Sequence, residues 1–228
     1  MKQEGFSMKR LVAMILALCL LAACCLNAAL ADSSALADYY MELNGVERES
    51  SPGKYYLTLD LPHDAPIEFV SPEEAIKVQN GFIYFSANWC PHCRNFIGIL
   101  LDVAKELNMD NLYYSSAEDI KTQWELDENN KPVITKEAGE HYYELLDWLA
   151  PVIADYTLTD SEGNAVPTGE KRIYMPSLIK VVDGVPVMRW GLGNARSEGY
   201  IPNADAHAPW TEEQKTSVRN SIIALFTE

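Results

Sequence analysis

Phe82-Ile83-Tyr84-Phe85, followed after three residues by Trp89-Cys90-Pro91-His92-Cys93, is the stretch that decides how this 228-residue chain is read. The first four residues form a short apolar run that predicts a buried strand. After the cysteines, Phe96, Ile97, Leu100, Leu101, Ala104 and Leu107 recur at helical spacing. Strand, CxxC and helix in that order put Cys90 at a helix N-terminus. Unpaired backbone N–H groups and the helix dipole favour a thiolate there, lowering the pKa of the group that attacks. A protonated His92 would add positive charge beside it. Cys93, one turn on, is placed to resolve a mixed disulfide by attacking back. The pattern predicts thiol–disulfide exchange, with Cys90 as nucleophile, Cys93 as resolving thiol and His92 as tuning residue.

The rest of the chain sharpens that expectation. From Met8 the sequence reads Met-Lys-Arg and then runs apolar from Leu11 to Leu26, the pattern of an export signal over residues 1–31. Ala29-Leu30-Ala31 offers a cleavage site that would release a secreted protein. Leu21-Ala22-Ala23-Cys24 offers a lipobox that would leave Cys24 lipidated and the protein anchored at the membrane. A retained transmembrane anchor is the third reading. All three predict an extracytoplasmic location. Cys19, Cys24 and Cys25 fall within the signal, so Cys90 and Cys93 are the only cysteines beyond it. Exported domains commonly use structural disulfides, and here the one available pair is the CxxC.

The formal charge is −15, and residues 1–31 hold three basic and one acidic side chain, leaving −17 beyond them. That balance argues against nucleic acid and against electrostatic docking on anionic lipid. A zinc site is the competing use of a CxxC, but it needs four ligands. A second CxxC is absent from the sequence, and His63, His92, His141 and His207 are scattered. We expect neither metal nor cofactor. Asp160-Ser161-Glu162-Gly163-Asn164 superficially resembles a calcium loop, but it lacks the distal glutamate and reads as a hairpin turn.

Tyr39–Leu43 and Tyr55–Leu61 alternate like strands, predicting an N-terminal β extension over residues 32–65. A short strand is expected at Ile67–Val70. Ser71-Pro72-Glu73-Glu74 then opens a helix to about Gln79. Further strands are expected at Asn111–Ser115, Tyr156–Thr159 and Ala165–Pro167. Ser177–Val182 and Val185–Trp190 read as an antiparallel pair turned at Asp183-Gly184. Helices are expected over Glu137–Ile153 and from Thr211 onward, while the polar stretch through Trp124 to Pro132 gives no clear pattern.

Strand–CxxC–helix, then Tyr174-Met175-Pro176-Ser177 leading into a hairpin, then a C-terminal helix, together resemble the thioredoxin superfamily. The resemblance covers roughly residues 67–226. It implies an α/β thioredoxin fold, a central mixed sheet flanked by helices, occupying residues 66–228. A helix-plus-hairpin insertion over about 116–172 precedes the proline. It implies a cis Pro176 opposite Cys90, with the Met175 backbone, Trp89 and Pro91 contributing to the binding of an extended substrate segment. It further implies electron exchange with protein thiols and disulfides and with a redox partner protein. Departures from the family are the long spacing from Cys93 to Pro176, Met175 itself, and Tyr84, which stands where many relatives carry a buried acid. The Pro-His dipeptide resembles that of DsbA-type oxidases, although the insertion is shorter than their helical domain. The chain is most similar to exported thioredoxin-like proteins of Gram-positive bacteria, including bacteriocin-transport accessory proteins. The rival reading is an accessory binding module for a peptide exporter or surface complex, without redox turnover.

Overall fold

The computed structural model describes residues 34–116, 120–191 and 205–227. Residues 1–33, with the expected export signal, its three cysteines and the processing and anchoring expectations tied to it, lie outside the described residues, as do 117–119, 192–204 and 228. Among the described residues no helix is long and apolar enough to cross a membrane.

The chain is mixed α/β. A five-stranded central sheet contains β1 (Glu68–Phe69), β2 (Gly81–Phe85), β3 (Leu112–Ser115), β8 (Ser177–Val182) and β9 (Val185–Gly191), in the order β1-β3-β2-β8-β9. β1, β3 and β2 run parallel, whereas β8 is antiparallel to β2 and β9 to β8. Side chains of a strand point alternately to its two faces, and β2 uses both. Phe82 and Tyr84 enter one core, Ile83 and Phe85 the other, and all are buried.

The Phe82/Tyr84 face is covered by α3 (Pro91–Glu106) and α5 (Glu212–Thr227). Phe96, Ile97, Leu100 and Leu101 on α3 meet Val218, Ile222 and Leu225 on α5 in that core. Each such side chain contributes about 1.5–3 kcal/mol by leaving water. Trp190 stacks on Phe96 at 4.4 Å and donates its indole N–H to Ser221 Oγ at 2.8 Å, joining β9 to both helices. The opposite face carries α2 (Pro72–Ala75) and α4 (Tyr142–Leu149), with Tyr142, Leu145, Leu146 and Leu149 against Ile83, Phe85, Ile179 and Val181.

The N-terminal β extension is not formed. Residues 34–41 are helical, and we label them α1. The alternation at Tyr39–Leu43 is overridden by Leu36, Ala37 and Tyr40, whose helical spacing buries them in the same core as α3. Residues 55–61 carry only an isolated bridge, Glu47 to Tyr55. The rest of that segment bonds to side chains instead of a strand: Leu59 pairs both backbone groups with the Asn44 amide, and Leu57 O accepts from Arg94. The helix opened by Ser71 has its capping box, Ser71 with Glu74, but stops at Ala75, short of Gln79.

The segment between β3 and β8 holds more strand than its sequence announces. β4 (Gln123–Leu126) and β5 (Pro132–Lys136) form a hairpin around Asp127, whose carboxylate accepts from the N–H groups of Asn129 and Lys131. Because β5 runs to Lys136, α4 starts only at Tyr142 and ends at Leu149, inside the Glu137–Ile153 expectation. A second hairpin follows, β6 (Ala154–Thr159) with β7 (Ala165–Arg172), turned by Asp160 accepting from Glu162 and Asn164.

Candidate functional site

Cys90 is the N-cap of α3, in extended backbone conformation, and Pro91 begins the helix. Proline suits that first position because its missing N–H would have had no helical partner. The Cys90 sulfur accepts the backbone N–H of Cys93 at 3.4 Å, so a thiol fills the place that serine or aspartate usually takes. The same sulfur lies 3.7 Å from the carbonyl oxygen of Met175. The Met175–Pro176 peptide bond is cis, and Pro176 is buried where the chain enters β8. The fold thus brings residues 85 positions apart onto one sulfur.

Neither cysteine is disulfide-bonded. Cys90 is 6% exposed and Cys93 fully buried. Burial, then the neighbouring Cys90, push the Cys93 thiol well above its ordinary pKa. The hydroxyl of Tyr84 faces Cys93, donating to its carbonyl at 3.5 Å and pulling back against that rise.

Of the residues flagged in the sequence, Trp89 stands 43% exposed beside Cys90, and Met175 packs against the core under the site. His92 is half-buried on the first turn of α3, and burial together with the nearby His207 lowers its pKa. The imidazolium that the sequence reading placed beside Cys90 is therefore disfavoured near neutral pH. The N-terminus of α3 favours a thiolate at Cys90.

The sequence reading missed Arg94. Its side chain is 1% exposed, and the guanidinium donates to three backbone carbonyls and one amide oxygen. Nε and Nη2 reach Leu57 O, Nη1 reaches Tyr40 O at 2.7 Å and Asn88 O at 3.0 Å, and Nη2 reaches Asn44 Oδ1 at 3.0 Å. Asn88 is itself held by its amide donating to Tyr39 O and to Glu42. The loop leading into Cys90 is thereby fastened to α1 and to the extended segment after it. A signal existed: Arg94 falls three residues before Ile97 and seven before Leu101, in register with the apolar stripe of α3. A base in that register must be buried and must find acceptors.

A buried group of hydroxyls lies behind Cys93. Tyr40 Oη and Ser86 Oγ are 2.5 Å apart, and Tyr114 Oη donates to Ser86 O at 3.3 Å. Tyr40, Tyr84, Ser86 and Tyr114 are at most 2% exposed.

No family model matches the chain, and no curated protein matches it. The arrangement itself is a capped, nearly buried thiol with a second thiol one turn below and a backbone carbonyl across from it. Two such thiols can close to a disulfide, and the first can form a bond with an outside sulfur. Among the described residues, no cluster of histidine, cysteine and carboxylate side chains could hold a metal.

Proposed function

We propose that the chain is a thiol–disulfide oxidoreductase with a thioredoxin-like fold, acting outside the cytoplasm on protein substrates. The observation that carries this reading is the Cys90 sulfur at the N-cap of a sixteen-residue helix, with Cys93 N–H donating to it. The strand order, three parallel strands followed by an antiparallel pair, and the cis proline facing the first cysteine support it. They are what the resemblance in the motif implies.

In this mechanism the Cys90 thiolate attacks a substrate disulfide. A Cys90–substrate sulfur bond forms and one substrate sulfur leaves as a thiolate. Cys93 then loses its proton and attacks the Cys90 sulfur. The Cys90–Cys93 bond forms, the substrate's second sulfur departs, and two electrons have passed to the substrate. The reverse sequence oxidises a substrate dithiol, and a redox partner protein resets the pair. The Met175 carbonyl, exposed Trp89 and Pro91 border the place where a substrate chain would lie. A stabilised Cys90 thiolate favours the reduced protein and so the oxidising direction.

Burial favours the rival reading of a binding module, because a sulfur only 6% exposed is not openly presented. Turnover separates the two. Oxidative refolding of a reduced multi-cysteine protein, or insulin reduction with dithiothreitol, should proceed with wild type and stop in Cys90→Ala. Equal rates from the two proteins would leave the binding module. The reduction potential against glutathione fixes the direction: a value well above that of thioredoxin supports the oxidase, and one close to it a reductase.

A further inference from the structure

On the flank of the sheet away from the thiols, α4 and the β4–β5 and β6–β7 hairpins border a cavity of about 530 Å³. That is within the size range of pockets that hold small ligands. Leu146 and Ala150 give it an apolar wall, and Trp124 and Tyr143 add aromatic rings. Its charged residues are three carboxylates, Asp147, Asp155 and Glu170, and one cation, Lys171. Lys171 is already committed, with Nζ 3.3 Å from Asp155 and donating to Ile153 O at 3.2 Å. Asp147 and Glu170 therefore leave the lining with an excess of negative charge.

The backbone is shaped to deliver Glu170. Thr157 pairs with Pro167 but Asp155 with Lys171, so four steps along β7 oppose two along β6 and β7 bulges. Bulges re-aim side chains. Gly169 lies in this one at φ +83°, with open space where a Cβ would stand. The Thr168 hydroxyl fixes the loop, donating to Tyr156 O at 3.0 Å and accepting the Glu170 N–H at 3.2 Å. Fully buried Thr122 then donates its hydroxyl to Glu170 Oε2 at 3.0 Å. The other carboxylate oxygen, Oε1, is buried and takes no hydrogen bond from the described residues. Arg172, the next cation along β7, is engaged elsewhere, donating to Thr122 O at 2.9 Å and lying 4.2 Å from the centre of the Tyr156 ring.

We propose that this cavity binds a guanidinium group, presented by an arginine side chain of a polypeptide or by a small free guanidine. The cation rests against Trp124 and Tyr143, whose ring faces attract positive charge. Its planar fork of donors meets Glu170 Oε1 and the Asp147 carboxylate. An ammonium carries the same charge but lacks the fork and the flat face that stacks on aromatic rings. The inference is independent of thiol exchange, because the cavity shares no residue with the Cys90 site and α4 packs on the opposite face of β2.

NMR titration of the full chain tests it, following the Trp124 indole N–H, assigned with Trp124→Phe. N-acetylarginine amide should shift that signal saturably, with a Kd of about 1 mM or tighter, as suits a ligand of its size. N-acetylcitrulline amide, alike in shape but uncharged, should bind about 10-fold or more weakly. Glu170→Gln should weaken arginine binding about 10-fold or more, and Asp147→Asn, at an exposed carboxylate, about 3-fold. Glu213→Gln, the same loss of charge on α5 across the sheet, should leave it unchanged. Should Glu170→Gln lose its cooperative thermal melt, Asp147→Asn against Glu213→Gln decides. A blocked glycyl-arginyl-glycine peptide binding as tightly as the amide assigns the cation to a polypeptide, and binding by agmatine alone assigns it to a free guanidine. Lack of saturable binding by any of the three guanidinium ligands, equal binding of citrulline, or equal losses in the pocket and α5 variants would overturn the site and leave thiol exchange untouched.

Discussion

The guanidinium of Arg94 donates to the carbonyl of Asn88 across 3.0 Å, gripping the backbone two residues ahead of Cys90. The same group holds Tyr40 and Leu57, so one side chain fixes the cysteine loop, α1 and the extended segment against α3. Lysine cannot reproduce that planar fork. Arg94→Lys should lower the unfolding free energy by about 3 kcal/mol or more, since hydrogen bonds from charged donors contribute about 1.5–3 kcal/mol each. Urea denaturation measures it, and an unchanged midpoint would show that the fork is dispensable.

The two thiols should react very unequally. Iodoacetamide added to the native, reduced protein should label Cys90 and spare Cys93, which is fully buried. Labelling of Cys93 should be on the order of a hundred-fold slower, because it must await opening of the core. Peptide mass mapping with and without denaturant reads both sites. Equal native labelling would contradict the full burial of Cys93.

Acid should weaken the fold through His92. Its pKa is lowered by burial and by His207, so the folded protein binds this proton less readily than the unfolded chain, whose imidazole titrates near 6.5. The contribution to stability is therefore intact above about pH 6.5 and is lost as the pH falls through and below it. His141 shifts the opposite way, raised by its bond to Glu144 and by Glu73, and partly masks the effect in wild type. The comparison with His92→Asn removes that mask. Between about pH 7.5 and pH 5, the wild-type urea midpoint should fall relative to the variant's. A constant difference would mean that the histidine titrates normally.

Gly81 should tolerate no side chain. Its φ is +145°, and a Cβ there would sit 2.5 Å from Asn111 O and 2.9 Å from the Tyr113 ring. The Phe82 N–H donates to that same Asn111 carbonyl at 2.9 Å, so the two strands could not separate to make room without losing their first bond. Gly81→Ala should cost about 3 kcal/mol or more, in the range reserved for backbone strain combined with overpacking. Thermal unfolding measures it, and a loss below about 1 kcal/mol would show that the strand start can shift.

The strands, the cysteine helix and the final hairpin were legible because each obeys one local rule. Phe82–Phe85 is a buried run, α3 has a clean apolar stripe, and Asp183-Gly184 turns β8 into β9. The N-terminal segment was misread because Tyr39, Met41 and Leu43, spaced by Tyr40 and Glu42, mimic the alternation of a strand. Only the distant core, which buries Leu36, Ala37 and Tyr40 together, selects the helix. The β4–β5 hairpin was missed for a different reason. Its burial is slight, so no hydrophobic period marks it, and it depends on the Asp127 carboxylate capping its turn. At the site, Cys90, Cys93, Met175 and Pro176 could be named from motif and resemblance. Arg94 and the hydroxyls behind Cys93 could not, since their meaning arises from contacts across up to 54 positions of chain.

The alternation of β2 has a consequence for how the molecule can vary. Since Ile83 and Phe85 face away from the thiols, the central sheet works as a bulkhead between two compartments. Replacements among the residues of α4 and of the β4–β5 and β6–β7 hairpins would be felt mainly on their own side. That flank is free to acquire new shapes while the sulfur chemistry behind the partition stays as it is.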